Sequence, residues 1–325
     1  MKKIVLAAWL LVFALILSGC TKTTPANNAA SGEKRIVVGF SQIGSESNWR
    51  KANTVSMTQA LSEGNGFRLI FSDAQQQHDT QIRAIRNFIK QKVDYIVVAP
   101  VTEKGWEDVL TEAKAAGIPV IIVDRMIDVK DESLFTCWVG TNSAKEGALA
   151  VQWMETQFGD SPIRIAHLQG TMGSTAQLGR TSSLDEGLAD HPEWTLAFRG
   201  SGDFTQAGGR RLVKSLLDSG TEFDLIYAEN DDMAYGAVEA MEAAGLNPGE
   251  DAIIISFDGN RHALELVMEG KINYVLECNP LHGPRVRSII EQLEAGETPQ
   301  KYTYVDGTVF DQAAVTQELL DSREY

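Results

Sequence analysis

Short, almost wholly apolar runs alternate with helical patterns along this chain, and no other feature constrains its fold as much. Residues 36–40 (Ile-Val-Val-Gly-Phe) read as a buried strand. A polar loop over 41–48 leads to a helix that begins near Trp49 and ends before Gly64 and Gly66. Residues 67–71 are the next strand, and Ile82, Ile85 and Ile89 recur at helical spacing. Residues 93–100 form a strand, Trp106, Val109, Leu110 and Ala113 mark a helix stopped by Gly117 and Pro119, and 120–125 is a fourth strand. The rhythm repeats with strands at 163–168, 196–199, 224–228 and 253–257, and helices near 181–189, 205–219 and 233–244. Apolar strands that alternate with amphipathic helices build parallel sheets covered on both faces. The expected class is α/β, with two similar lobes, each a parallel sheet flanked by helices.

Later strands near 273–278 and 302–310, with a helix over 284–295, are too few for a third lobe. They must return to the first two. The expected lobes are 35–138 with 280–304, and 139–279 with 305–325. They are joined by a multi-strand hinge near 137–142, 278–280 and 306–308 rather than by one loose linker. The molecule is expected to be a monomer. Cys137 and Cys278 fall on two of these crossings, where either a disulfide or two buried thiols fits.

The chain has 325 residues and a formal net charge of -15. Nucleic-acid phosphates need clustered Lys and Arg, so this balance argues against nucleic acid and against a basic membrane-surface domain. Three Cys are too few for a disulfide scaffold. The amino end has its own logic. Lys2 and Lys3 precede an apolar run over 4–17, too short for a comfortable membrane span and right for a signal peptide. The run ends in Leu17-Ser18-Gly19-Cys20, a match to the bacterial lipobox. Residues 1–19 therefore read as a lipoprotein signal peptide and Cys20 as the lipid attachment. Residues 20–34 are small and polar and read as a tether. The protein is expected in the cell envelope, lipid-anchored on the extracytoplasmic face of a bacterial membrane, touching the membrane only through that anchor.

In open parallel sheets, ligands sit beyond the carboxyl ends of the strands. Those positions here carry Glu46, Trp49 and Arg50, then Asp124 and Arg125, Asn230, Asp258 and Asn279, with Arg180 expected to open a helix. Asp accepts hydrogen bonds, Arg donates through a planar fork and Asn does both. A Trp ring offers a flat apolar platform to the C–H face of a sugar. Burying a hydroxyl unpaired costs ~1–3 kcal/mol, so such a set would discriminate between epimers. Each residue also has a plain structural reading. Trp49 opens an amphipathic helix and could be core, Asp124 with Arg125 could pair at the surface, and Arg180 could be a solvated helix residue. Glu46 could merely favour a helix start, and Asp258-Gly259 could be a turn. One residue of Asn230-Asp231-Asp232 caps a helix; Asp232 is the expected cap and Asn230 the ligand contact. Trp106, Trp138, Trp153 and Trp194 read as packing.

Catalytic readings are weak. The loop Gly170-Thr171-Met172-Gly173-Ser174 lacks the Lys of a phosphate-binding loop, and no Gly-x-Ser-x-Gly elbow occurs. His78, His167, His191, His262 and His282 show no metal-ligand spacing. Composition leaves a glycosidase carboxylate pair open, but Arg-rich strand ends suit binding of ground-state hydroxyls better. No catalytic residue, cofactor or metal is expected.

Several stretches resemble the periplasmic solute-binding proteins of the ribose/galactose-binding type, and within them the galactofuranose-binding branch most. They are Val38-Gly39-Phe40-Ser41-Gln42, Ser45-Glu46-Ser47, Trp49-Arg50, Val123-Asp124-Arg125, Ile127-Asp128-Val129-Lys130-Asp131, Leu168-Gln169-Gly170-Thr171, Gly202-Asp203-Phe204-Thr205, Asn230-Asp231-Asp232-Met233 and Asp258-Gly259. The likeness runs from Arg35 almost to the end. It departs at Asn48, where Gly is expected, and over Glu277-Cys278-Asn279-Pro280. The resemblance implies the periplasmic-binding-protein-like I fold, closing on a monosaccharide that is handed to the permease of an ABC importer. Galactofuranose leads the candidate ligands, with other pentoses or hexoses behind it. It also implies ligand roles for Trp49, Arg50, Asp124, Arg125, Arg180 and Asp258. The alternative function is a sugar sensor that presents the ligand-bound form to a chemoreceptor or sensor kinase.

Overall fold

The computed structural model describes residues 35–325, and the signal peptide, Cys20 and the tether lie outside the described residues. Two six-stranded sheets organise the chain. The first contains β1 (Ile36–Gln42), β2 (Phe67–Asp73), β3 (Tyr95–Val98), β4 (Val120–Val123), β5 (Cys137–Gly140) and β11 (Tyr302–Tyr304), in the order β11-β5-β4-β3-β1-β2 and wholly parallel. The second contains β6 (Ile163–Gln169), β7 (Trp194–Ser201), β8 (Leu225–Ala228), β9 (Ile253–Asp258), β10 (Tyr274–Glu277) and β12 (Val309–Phe310). Its order, β12-β10-β9-β8-β6-β7, repeats the first strand for strand, with only β12 antiparallel. The inner strands β3, β4, β8 and β10 are buried at every residue, as sheets covered on both faces require.

The helices are α1 (Asn48–Ala60), α2 (His78–Gln91), α3 (Glu107–Ala115), α4 (Ser143–Phe158), α5 (Thr175–Asp190), α6 (Gln206–Ser219), α7 (Asp231–Ala243), α8 (Arg261–Met268), α9 (Gly283–Glu294) and α10 (Gln317–Ser322). Many start just after a strand on a polar residue that accepts from the first turn: Ser47 for α1, Asn142 for α4, Ser174 for α5, Thr205 for α6 and Asn230 for α7. This concentrates polar side chains at the carboxyl ends of both sheets. The chain passes between the sheets after β5, after β10 and between β11 and β12. α9 packs back on α1, and α10 packs on α8.

Several expectations need correction. α5 starts at Thr175, not near 181, so Arg180 sits in its second turn rather than opening it. The expected strand over 302–310 is two strands in different sheets, because its middle is one of the crossings. α4 and α8 had no counterpart in the expected element order. Asn230, not Asp232, caps α7: its Oδ1 accepts from the Met233 N–H at 3.0 Å. Of the two readings of Cys137 and Cys278, the structure bears out the buried free thiols.

Candidate functional site

The carboxyl ends of the two sheets meet around a cavity whose space free of protein atoms, counted out through its mouth into solvent, is about 480 Å³. Glu46, Trp49, Arg50, Asp124 and Arg125 line it from the first sheet, and Arg180, Asn230 and Asp258 from the second. Of the sequence-derived candidates only Asn279 is left out. Its Oδ1 accepts from the Leu281 N–H at 2.8 Å, so the side chain is spent on a local turn. Ser47, Thr141, Ser143, Thr175, Ala176, Phe204 and Cys278 also line the cavity and were not singled out as site residues.

The two lobes contribute matching charge clusters. Asp124 follows β4 and Asp258 ends β9, which are equivalent strands in the two sheets. Both have positive φ, +63° and +108°, in a region that costs a non-glycine residue ~1–3 kcal/mol. Both face an Arg carried on the helix that follows the equivalent strands β1 and β6. Arg50 Nη2 lies 2.7 Å from Asp124 Oδ2, and Arg50 Nε donates to Glu46 Oε1 at 3.1 Å. Arg180 Nη2 lies 3.8 Å from Asp258 Oδ1, while its Nε and Nη2 donate to Glu146 Oε2 at 3.0 and 2.8 Å. Arg180 Nη1 also donates to the Glu229 carbonyl. Glu146, on the unexpected helix α4, is thus the partner that orients Arg180.

Burial works against each of these charges, and the partners decide the outcome. For Arg50 and Arg180 burial opposes the charge, but the carboxylates outweigh it and hold both guanidiniums above the ordinary range. Arg125 has no such carboxylate clamp; it donates to the Val101 carbonyl at 2.8 Å. Burial, with Arg50 adding repulsion, brings its pKa down to about 10. Burial pushes Asp124 up, but Arg50 and Arg125 outweigh it and leave the carboxyl below its usual range. Asp258 goes the other way. Burial raises it well above the carboxylate range against the pull of Arg180, and Asp231 and Asp232 add to the rise.

Two cavity-lining oxygens are left over. Among the described residues, Glu46 Oε2 and Asp124 Oδ2 are buried without a hydrogen-bond partner. Asp124 Oδ2 touches the Arg50 guanidinium as a charge contact, not along an N–H direction. Orphan buried acceptors are costly unless a ligand donates to them.

Apolar walls come from both sides. The Trp49 indole N–H donates to the Cys278 carbonyl, and the ring carries the Arg50 guanidinium at 4.7 Å and the His282 ring at 5.7 Å. Phe204 stands in the second lobe, 5.5 Å from the Arg125 guanidinium of the first. It fits only because residue 170 is Gly: a Cβ there would lie 1.9 Å from the Phe204 ring. The rims touch as well. The Asn48 N–H donates to Asp232 Oδ2 at 2.9 Å, and the Thr175 hydroxyl accepts from the Met126 N–H at 2.8 Å and donates to Glu103 Oε1 at 3.0 Å.

The same strand-end rule that found Asp124 would have found Phe204, Thr141 and Ser143, which follow β7 and β5. Glu146 had no such signal, because its role exists only through Arg180. Asp160, His191 and Glu193 bring metal-type ligand atoms within 4.8 Å of one another. They lie at the amino ends of β6 and β7, away from this cavity.

A family model for the periplasmic binding protein domain matches residues 38–281. The galactofuranose-binding protein YtfQ of Escherichia coli (strain K12) is 37% identical over 288 residues, covering 87% of this chain and 90% of that protein. A crystal structure from Mycobacterium smegmatis in complex with β-D-fucofuranose aligns with a TM-score of 0.85 and 39% identity, over 89% of this chain and 95% of that one. The periplasmic binding protein of the arabinose ABC transporter from Shewanella sp. ANA-3, bound to α- and β-L-arabinofuranose, aligns with a TM-score of 0.83 and 36% identity, over 89% and 99%.

Proposed function

Because this chain belongs to the periplasmic binding protein family, we propose that it captures a monosaccharide in its furanose ring form and delivers it to an ABC importer. The observation that carries this is the pair of Arg–carboxylate clusters, one from each lobe, around one cavity with two orphan acceptors. Three Arg line the cavity with Glu46, Asp124 and an Asp258 carboxyl that burial favours in its protonated form, a set of donors and acceptors that suits hydroxyls. Sugar hydroxyls donate to Glu46 Oε2 and Asp124 Oδ2 and accept from Arg125, whose guanidinium has the fewest protein partners. Trp49 and Phe204 cover the C–H surfaces. Galactofuranose is the leading ligand, supported by the likeness to a galactofuranose-binding protein and to two furanose complexes.

A ligand held from both lobes couples binding to closure, since only the closed form makes both sets of bonds. The moving bodies in this reading are 35–138 with 280–304, and 139–279 with 305–325. The lipobox supports export and anchoring through Cys20; Cys20→Ala then releases the protein from membranes in its host, and unchanged membrane partition overturns the anchor. Calorimetry against galactose, fucose, arabinose and fructose tests the ligand class, with the crystal structure of the complex reporting ring form. A silent sugar panel beside binding of an amino acid, peptide or metal overturns the function. A bound pyranose keeps the sugar class and removes the furanose.

A further inference from the structure

A second crevice adjoins the sugar cavity. It is an open crevice, with about 1010 Å³ of space free of protein atoms counted out into solvent, and it shares Thr141, Ser143 and Thr175 with the cavity as common lining. Its far wall is aromatic. Tyr304 stands edge-on to Trp138, with ring centroids 5.2 Å apart, and is 58% exposed. Leu178, 44% exposed, contributes from α5. An exposed Tyr and Leu in a concave site between lobes form an apolar surface that the fold itself does not need.

The wall is mechanically tied to the sugar site. Trp138 Nε1 donates to the Asp124 carbonyl at 3.2 Å, so the aromatic cluster is bonded to the residue that carries an orphan acceptor. Residue 140 is Gly, and a Cβ there would lie 2.3 Å from the Trp138 ring and 2.4 Å from that same carbonyl. Gly140 therefore lets the indole lie across the strand against Asp124. Polar groups rim the crevice: Asn142 spends Oδ1 on the α4 cap and keeps its NH₂ group, and Glu103 and Ser182 stand nearby.

We propose that this crevice is a second glycosyl subsite. A furanosyl disaccharide places its terminal ring in the cavity and its second ring against Tyr304. The inference rests on the furanose reading of the cavity. The chemistry matches: an aromatic face for the C–H surface of the second ring and hydroxyl and amide groups for its edge.

The test is calorimetry with three probes: free galactose, methyl β-galactofuranoside, and a disaccharide of two galactofuranosyl residues. The disaccharide should bind more tightly than the methyl glycoside by about fivefold or more, the scale of one aromatic contact. Tyr304→Ala should remove most of that gain and leave the methyl glycoside within about twofold, and Leu178→Ser should act in the same direction. Tyr304→Phe should keep the gain, because the ring face and not the hydroxyl makes the contact. A disaccharide weaker than the methyl glycoside overturns the subsite, as does a Tyr304→Ala effect equal on both probes. If free galactose binds while both glycosides fail, the cavity is closed at the anomeric oxygen and the subsite falls while the function stands. If all three are silent, the furanose reading falls and the subsite with it.

Discussion

Asp258 shows how a single residue can be costly to the fold and useful to the site. It is buried, left-handed in backbone, and 3.8 Å from Arg180, which Glu146 already clamps. Burial raises its pKa well above the ordinary value. A carboxyl raised in the folded state contributes stability when protonated and loses it as pH rises. Asp258→Asn should therefore melt no lower than the parent at pH 8 in the absence of sugar. Its sugar affinity should fall about 10- to 100-fold, the cost of leaving a buried hydroxyl and Arg180 mispaired. Calorimetry and thermal melting of the same variant check both halves; a large loss of melting temperature would show that the charge supports the fold. Asp124, Arg125 and Asp258 were legible in the sequence because each directly follows or ends an apolar strand. Arg180 was legible as a helix-start residue whose ligand role the family resemblance strengthened, and Glu146 not at all, because nothing local marks a residue whose task is to hold another.

At the scale of elements, strands were easier to read than helices. Strands buried on both faces are apolar at every position, so β3, β4 and β8 announce themselves. α4 did not, and α5 was legible only from 181 onward, for a physical reason. The buried face of α5 is Gln177, Arg180, Ser183, Leu184 and Gly187, polar because it looks toward the site. The buried face of α4 begins with Ser143, Glu146, Gly147 and Ala150, small or polar where the helices approach closely, and only its later turns bury Val151 and Met154. The first turns of each helix, which face the site, therefore lack the apolar stripe that periodicity detects. Asn230 joins element to site: it caps α7 and donates from Nδ2 to the Phe204 carbonyl at 3.1 Å. Asn230→Ala should destabilise the protein by about 1–2 kcal/mol through the lost cap and should also weaken sugar binding as Phe204 loosens. Thr316→Ala removes the cap of α10, which contributes no residue to the cavity lining, and should lower melting temperature without changing affinity. Equal affinity losses in both variants would contradict the link to Phe204.

For the whole molecule, the acids around the start of α7 set the pH response. Burial lifts Asp231 to about 7 and Asp232 to about 6, and Asp258 moves the same way. Each raised carboxyl binds protons more tightly folded than unfolded, so stability falls as pH climbs from its unfolded value through its folded one. His282 opposes them: burial lowers it to about 4, so its contribution grows with pH up to its ordinary 6.5. Above pH 6.5 the raised acids are joined by His191, which hydrogen bonds to Glu155 and Glu193 lift above its ordinary 6.5 and which acts in the same direction, so melting temperature should decline between pH 6.5 and 8. Calorimetric scans across that range check this, and a steady rise would contradict it. Asp232 also receives the Asn48 N–H across the lobes, one of the contacts that close the rim. Three strand crossings between lobes allow a rotation without loss of either sheet. Small-angle scattering with saturating sugar should show a more compact particle than without it; superimposable profiles would sink hinge closure.

The sequence by itself determined the α/β rhythm, the doubling into two lobes, the need for the last strands to return, and most of the residues around the cavity. Those follow from burial alone, since a strand covered on both faces must be apolar and its carboxyl end is where polarity resumes. Tertiary structure decided the rest. It chose Asn230 over Asp232 as a cap, turned Asn279 away into its own turn, split residues 302–310 between two sheets, and brought Glu146 to Arg180 and Phe204 to Arg125. Each of these depends on which surfaces meet across tens of residues, and local pattern carries no record of a partner supplied by another element.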